Sequence, residues 1–182
     1  MNKKQRAQKI LEILKLLYPQ TRSSLEYNKP WQLLFSARLA AQCTDKRVNI
    51  VSKELYTKYP TLEALAQSDL DELEAIIRPT GFFRVKARDL KNSAAILLSK
   101  YGGEVPSTME ELLNLPGIGR KIANLILGDV FGKSAVVADT HCIRLSNRFG
   151  LCDSKNPYKV ELCLKELIPE NEQTDFCHRL VF

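Results

Sequence analysis

Apolar residues recur every three to four positions along most of the chain, with charged residues between them. This spacing predicts helices with one buried face. Over 5–17, Ile10, Ile13, Leu14 and Leu17 share a face, with lysines and a glutamate opposite. Tyr18-Pro19 ends that helix, because the residue before a proline is driven out of the α region. A second helix is predicted from Pro30 to Ala40, carrying Trp31, Leu34 and Phe35. A third starts near Thr44, an N-cap candidate ahead of "DKRVNIVSKELYTKY". "PTLEALAQS" is a short helix. "SDLDELEAIIRPTG" opens on Ser68 as N-cap with Asp71 three residues later, a near relative of the capping box, and stops at Pro79-Thr80-Gly81. "FRVKARDLKNSAAILLSKYGG" is a long amphipathic helix closed by Gly102 and Gly103. "STMEELLNL" takes Ser107 as N-cap, with Glu110 three residues on.

Convincing strands are absent. "KSAVVAD" at 133–139 holds β-branched residues but is short and isolated. The predicted fold is all-α, with roughly ten short helices joined by short loops. No fixed-period repeat is evident beyond a helix–turn–helix rhythm, and no low-complexity linker separates two domains. Any division is therefore topological, with the chain crossing between lobes.

Composition narrows the function classes. With 182 residues, 45% hydrophobic and 26% charged, the chain is long enough for a real core and is globular. No run of about 18 apolar residues offers a membrane span. The basic start "MNKKQRAQKI" leads into an amphipathic pattern, unlike a signal peptide, so a cytoplasmic location is expected. A net charge of +6 favours a polyanionic partner, most commonly nucleic acid. The five cysteines, Cys43, Cys142, Cys152, Cys163 and Cys177, are widely spaced with no C-x-x-C pair. They suggest neither a disulfide framework nor a zinc site.

Two stretches carry candidate chemistry. "MEELLNLPGIGRKIANLIL" reads as helix, tight hairpin, helix. Gly117 and Gly119 permit backbone conformations that side chains block, and they allow a ligand to approach closely. Free N–H groups at the start of the second helix point into the loop and make an anion site, with Arg120 and Lys121 beside it. A nucleic-acid phosphate suits that site; a plain helix-connecting turn is the alternative. A nucleotide-binding glycine loop is excluded: position 122 is Ile122 where G-x-G-x-x-G needs glycine, and no β-α-β pattern surrounds it. Lys121 follows the hairpin directly. A positive helix end, a neighbouring arginine and partial burial would favour its free amine, the nucleophile of Schiff-base chemistry. In "VVADTHCIRLSNRFG", Asp139 or Thr140 serves as N-cap of a further helix. The other role for Asp139 is a carboxylate held where it stabilises a cation or guides a proton.

"LPGIGRKIANLIL" followed by "VVADTHCIRLSNR" strongly resembles the endonuclease III family of DNA glycosylases with AP lyase activity. That family sits in the superfamily named for a helix–hairpin–helix, a Gly/Pro-rich loop and an aspartate. "LAAQCTD" at 39–45, "GFFRVKARDL" at 81–90 and "YGGEVPSTMEELLNLPG" at 101–117 fit it as well, so the likeness runs from about residue 6 to the end. The resemblance implies two helical lobes with a cleft between them. One is a six-helix barrel over 23–133 that holds the helix–hairpin–helix; the other is formed by 1–22 with 134–182.

The resemblance also assigns roles. The lysine of the G-R-K step, here Lys121, attacks C1′ of the damaged nucleotide, and the aspartate of D-T-H, here Asp139, assists. Adenine glycosylases of the superfamily lack this lysine and do not cut the strand, and "DTH" stands where they carry D-G-N. Gln42 matches the glutamine that fills the vacated base stack. Phe82 matches the apolar wedge that enters opposite the orphaned base, where leucine is frequent; core packing is the competing role for Phe82. Gly117, Gly119, Arg120, Lys86 and His141 complete the expected DNA contacts. The implied activity is removal of oxidised pyrimidines from duplex DNA and nicking of the abasic site by β-elimination, by a monomer associated with the nucleoid. The alternatives are a non-catalytic helix–hairpin–helix module or a monofunctional glycosylase. No cofactor is needed for the chemistry, though the family binds a monovalent cation on hairpin carbonyls, here 115–120. The family also continues past a "CHRLVF"-like segment to four cysteines holding a [4Fe–4S] cluster; those ligands are missing from this sequence, and Cys177 and its fellows lack the spacing. The apolar ending "RLVF", mid-helix by pattern, suggests a truncated chain over a cluster-free variant.

Overall fold

The computed structural model describes residues 1–181, and among them it is helical with no strand. It divides into two compact units, 24–123 and the pair of segments 1–23 and 124–182. The second crossing thus falls within the first turn of a helix that follows the hairpin; from sequence it was expected at 133. Residues 133–139 run as an extended loop whose Ala135, Val136, Val137 and Ala138 are buried.

The 24–123 unit holds α2 (Pro30–Leu39), α3 (Asp45–Lys58), α4 (Leu62–Ala66), α5 (Leu70–Ile77), a 3-10 turn (Arg78–Thr80), α6 (Phe83–Tyr101) and α7 (Met109–Leu113), and ends on the first residues of α8 (Arg120–Asp129). Phe35, Leu33, Leu34 and Leu39 of α2, Val48 and Leu55 of α3, Leu73 and Ile77 of α5 and Leu90 and Leu97 of α6 close its core. Their spacing keeps one apolar stripe per helix, and each stripe must be buried against another element. α6 packs on α4, α5 and α2 and is the longest helix of the unit. Inside the unit, Tyr56 donates to the Gln32 carbonyl at 2.8 Å and lies 2.9 Å from the Ser36 hydroxyl.

The other unit is built from α1 (Lys3–Leu17), the rest of α8, α9 (Thr140–Arg148), α10 (Pro157–Leu167), a 3-10 turn (Glu170–Glu172) and α11 (Gln173–Arg179). Ala7 and Leu11 of α1, Cys142 of α9, Val160 and Leu164 of α10 and Phe176 of α11 form its core. His178 is joined to Asp129 at 2.7 Å, tying α11 to the end of α8. α11 ends at Arg179 with Leu180 as C-cap, so Leu180 and Val181 are not mid-helix; Phe182 lies outside the described residues.

Two caps sit one residue beyond their sequence-based positions. α5 is capped by Asp69, whose carboxylate accepts from the Glu72 amide at 3.0 Å, while the Ser68 hydroxyl donates to the Leu65 carbonyl. α7 is capped by Thr108, which accepts from the Glu111 amide and donates to the Glu111 carboxylate. Asp69→Ala is expected to lower unfolding free energy by about 1 kcal/mol, the usual worth of a capping side chain, as measured by urea denaturation.

Candidate DNA-facing site

The hairpin belongs wholly to the 24–123 unit. Leu115 and Ile118 are buried and pin it by their side chains, and Ile118 N–H donates to the Leu115 carbonyl at 3.1 Å to close the turn. Gly117 has φ of +72°, in the left-handed region. A Cβ built there would stand 2.2 Å from Arg38 Nε and 2.3 Å from Asp89 Oδ2, so both conformation and space exclude a side chain. Gly119 differs from expectation. Its φ is not positive, and a Cβ on it would meet nothing within 4 Å. Its freedom matters only for what comes to it from solvent. The first intrahelical bond of α8 runs from Ala123 N–H to the Gly119 carbonyl, so the amides just before Ala123 have no acceptor within the helix.

Beneath the hairpin lies a charged pair. Arg38, in the last turn of α2, donates from Nε at 2.8 Å and places Nη2 at 2.7 Å, both on Asp89 Oδ2 of α6. One turn further along α6, the Ser93 hydroxyl donates to the Pro116 carbonyl at 3.3 Å. Neither Arg38, Asp89 nor Ser93 was read from the sequence as part of the site. The signal was there, because Asp89 and Ser93 fall at the i, i+4 spacing of one helix face.

Lys121 is on the first turn of α8 and is exposed, so the partial burial expected for it is not observed. Asp139 lies in the other unit, half-buried, as N-cap of α9; its Oδ1 accepts from the Cys142 amide at 2.7 Å. Arg120 is half-buried, and His141 is exposed with Nδ1 3.5 Å from Arg144 Nη2.

Gln42 and Phe82 share an unusual feature. Among the described residues they are the two non-glycine positions with positive φ, +56° and +48°. Gln42 is exposed in the turn after α2, and Phe82 is 65% exposed at the N-cap of α6, where no side chain caps the helix. Core packing is therefore not the role of Phe82. A left-handed conformation costs an L residue about 1–2 kcal/mol, and such strain gathers at functional positions.

Lys86 corrects the sequence reading. Expected to meet DNA, it is fully buried, and its Nζ donates to the carbonyls of Leu39 and Thr80 at 2.7 Å each. It falls on the buried face of α6, in phase with Leu90, Ser93 and Leu97, where no phosphate reaches it. Burial lowers its pKa from the ordinary lysine range, and the nearby Arg38 charge acts in the same sense.

Among the described residues no group of three or more His, Cys, Asp or Glu side chains is placed to hold a metal ion. The cysteines present do not fit the ligand set of the family's iron–sulfur cluster. No helix of the described residues is long and apolar enough to cross a membrane.

Gly117→Ala should destabilise the protein by about 2 kcal/mol or more through φ strain and collision with Arg38 and Asp89, whereas Gly119→Ala should move stability by less than about 0.5 kcal/mol. Paired urea melts of the two variants test this.

The chain matches the family model described as HhH-GPD superfamily base excision DNA repair protein over residues 35–170. It is 46% identical to endonuclease III of Synechocystis sp. over 182 residues, covering 100% of this chain and 83% of that protein. Endonuclease III of Bacillus subtilis is 37% identical over 167 residues, 91% of this chain and 76% of that one. Among solved structures, a trapped endonuclease III–DNA covalent intermediate, the estranged-adenine complex, superposes with a TM-score of 0.94 at 39% identity, covering 100% of this chain and 86% of the other. A thermostable thymine-DNA glycosylase, 22% identical, shares the fold with a TM-score of 0.82 over 97% of this chain and 85% of its own. A hairpin whose Gly117 lies over a charged pair, an exposed lysine behind it and a helix-capping aspartate thus stand in a chain that belongs to the HhH-GPD superfamily of base excision DNA repair proteins and, within it, to the endonuclease III family.

Proposed function

We propose that Lys121 and Asp139 carry the glycosylase and AP lyase chemistry of this base-excision enzyme, acting on oxidised pyrimidines in duplex DNA. The observation that carries the reading is the exposed amine of Lys121 on the first turn of a helix entered through the Gly117 hairpin. Hairpin amides and the positive end of α8 accept a backbone phosphate, which fixes the strand and brings a deoxyribose to the lysine. Hairpin carbonyls within 115–120 offer a seat for a monovalent cation beside that phosphate.

In the proposed chemistry the neutral amine of Lys121 attacks C1′ and the C1′–N bond breaks, its electron pair leaving with the base, which takes up a proton. Ring opening gives a Schiff base between Nζ and C1′. Loss of a C2′ proton then expels the 3′ phosphate by β-elimination, and water releases the lysine. Asp139 stabilises the cation that develops at the sugar or readies the amine. Its helix-start position suits this: one carboxylate oxygen is pinned on the Cys142 amide while the group stays half-exposed.

Gln42 and Phe82 are proposed to enter the duplex where the damaged base leaves. Extruding a base costs a few kcal/mol, least for a damaged and poorly stacked one, and an inserted amide and aromatic ring offset part of it. The protein acts as a monomer, and its net charge of +6 supports salt-sensitive affinity for duplex DNA.

Borohydride trapping with an abasic duplex is the test. The wild-type chain should form a covalent adduct, and Lys121→Gln should lose it by at least about a hundredfold. Undiminished trapping by that variant would refute the assignment. Asp139→Asn should keep the cap, and hence stability within a few tenths of a kcal/mol, while single-turnover base release falls about 10²-fold. A loss of stability in step with activity would reduce Asp139 to its capping role.

A further inference from the structure

We propose that Lys86 is the positioning residue that sets the two DNA-entering side chains, Gln42 and Phe82, in register with each other. The proposal rests on the reading that those two residues enter the duplex.

Leu39 is the last residue of α2, and Thr80 is the last residue of the 3-10 turn that precedes α6. Their carbonyls are among those that a helix end leaves without an intrahelical partner. Inside a closed unit an unpaired carbonyl is costly, and water does not reach this one, since Lys86 and Leu39 are fully buried and Thr80 nearly so. The Lys86 ammonium takes both at 2.7 Å, acting as C-cap of two helical segments from a third helix.

The two capped ends are the roots of the two strained turns. Three residues past Leu39 the chain reaches Gln42, and two past Thr80 it reaches Phe82. The other bonds of each turn are local: Ala41 N–H to the Arg38 carbonyl at 3.3 Å and Cys43 N–H to the Ala40 carbonyl at 3.0 Å in one, Gly81 N–H to the Arg78 carbonyl at 3.2 Å and the Thr80 hydroxyl to the Ile77 carbonyl at 2.8 Å in the other, and none of these joins the two turns. One cation on two carbonyls therefore fixes the separation of the two turns. A methionine of similar length leaves both carbonyls unpaired and removes that constraint, while changing nothing on the DNA-facing surface.

A mutant cycle distinguishes positioning from general stabilisation. Single-turnover base release from an oxidised-pyrimidine duplex is measured for wild type, Lys86→Met, the double variant Gln42→Ala/Phe82→Ala, and all three changes together. Lys86→Met should slow wild type at least about tenfold but slow the double variant less than about twofold, because its effect passes through the two residues already removed. Equal factors in both backgrounds, or no loss in wild type, overturn the proposal. Hydrogen exchange supplies a readout that needs no activity: in Lys86→Met the amides of 41–43 and 81–83 should exchange at least about tenfold faster while those of α3 stay unchanged. Uniform acceleration across the unit overturns it. If Lys86→Met does not fold, Lys86→Gln, whose nitrogen stands one atom shorter of the two carbonyls and carries no charge, takes its place with the same expected factors. If neither folds, wild-type exchange decides: the two turns must open together, and independent opening overturns the proposal. Failure of the catalytic reading shows separately, as wild-type protein that neither traps nor nicks abasic DNA.

Discussion

The 24–123 unit depends on one polar face of α6. Lys86, Asp89 and Ser93 stand at i, i+3 and i+7, and each reaches a different part of the rim formed by the hairpin and the turns at Gln42 and Phe82: two helix ends, the Arg38 guanidinium under the hairpin, and the Pro116 carbonyl. Helix faces at this spacing are ordinarily apolar and hold neighbours by burial, which has no direction. Hydrogen bonds to carbonyls and a guanidinium do have direction, and they fix turns that own few apolar side chains. The face must also be complete. The Arg38–Asp89 pair is part-buried, so removing one member leaves its partner uncompensated at a cost below the about 3–5 kcal/mol of a fully buried pair, still a notable share of the roughly 5–15 kcal/mol by which a domain is stable.

That rigidity is needed because the rim is strained. Gln42 and Phe82 hold left-handed conformations at about 1–2 kcal/mol each, and Phe82 exposes most of an aromatic ring to water. A chain left to itself relaxes both. The buried stripes of α2, α3, α5 and α6 supply the surplus that keeps them in place, and the α6 face transmits it to these two positions. The glycine at 117 follows the same logic in reverse. There the backbone must lie directly on the Arg38–Asp89 pair, and no side chain fits between.

Most of the helical architecture was legible in the sequence, because apolar periodicity, prolines and closing glycines are local signals. The caps at 69 and 108 were missed by one residue for a physical reason: each follows another cap-competent residue, and the choice depends on which one is the last extended residue before the helix begins. Lys86 was expected to meet DNA on the family resemblance, against its phase. In "RVKARDLKNSAAILL" it falls in register with Leu90, Ser93 and Leu97, and that register is a burial signal independent of residue type. Gly119 was given a conformational role that only Gly117 has. Lys121 and Asp139 as a pair came from the family resemblance. No periodicity links a first-turn lysine to a cap 18 residues on, and capping alone accounts for the local geometry of Asp139.

Why a lysine, when an apolar residue would bury at less cost, follows from what the two helix ends present. Leu39 and Thr80 offer carbonyl oxygens at the negative ends of their segments, and a cation is favoured there by the backbone dipole as well as by the hydrogen bonds. An arginine would spread its donors over a plane, suited to a carboxylate fork, whereas a compact ammonium serves oxygens that arrive from different segments. Burial works against the charge, which is why the Lys86 pKa is lowered, and the neighbouring Arg38, itself held by Asp89, adds to that lowering. The two polar contacts are thus one network. Asp89 holds Arg38 beneath the hairpin, while Lys86, three residues earlier on the same helix, joins the ends that lead to Gln42 and Phe82.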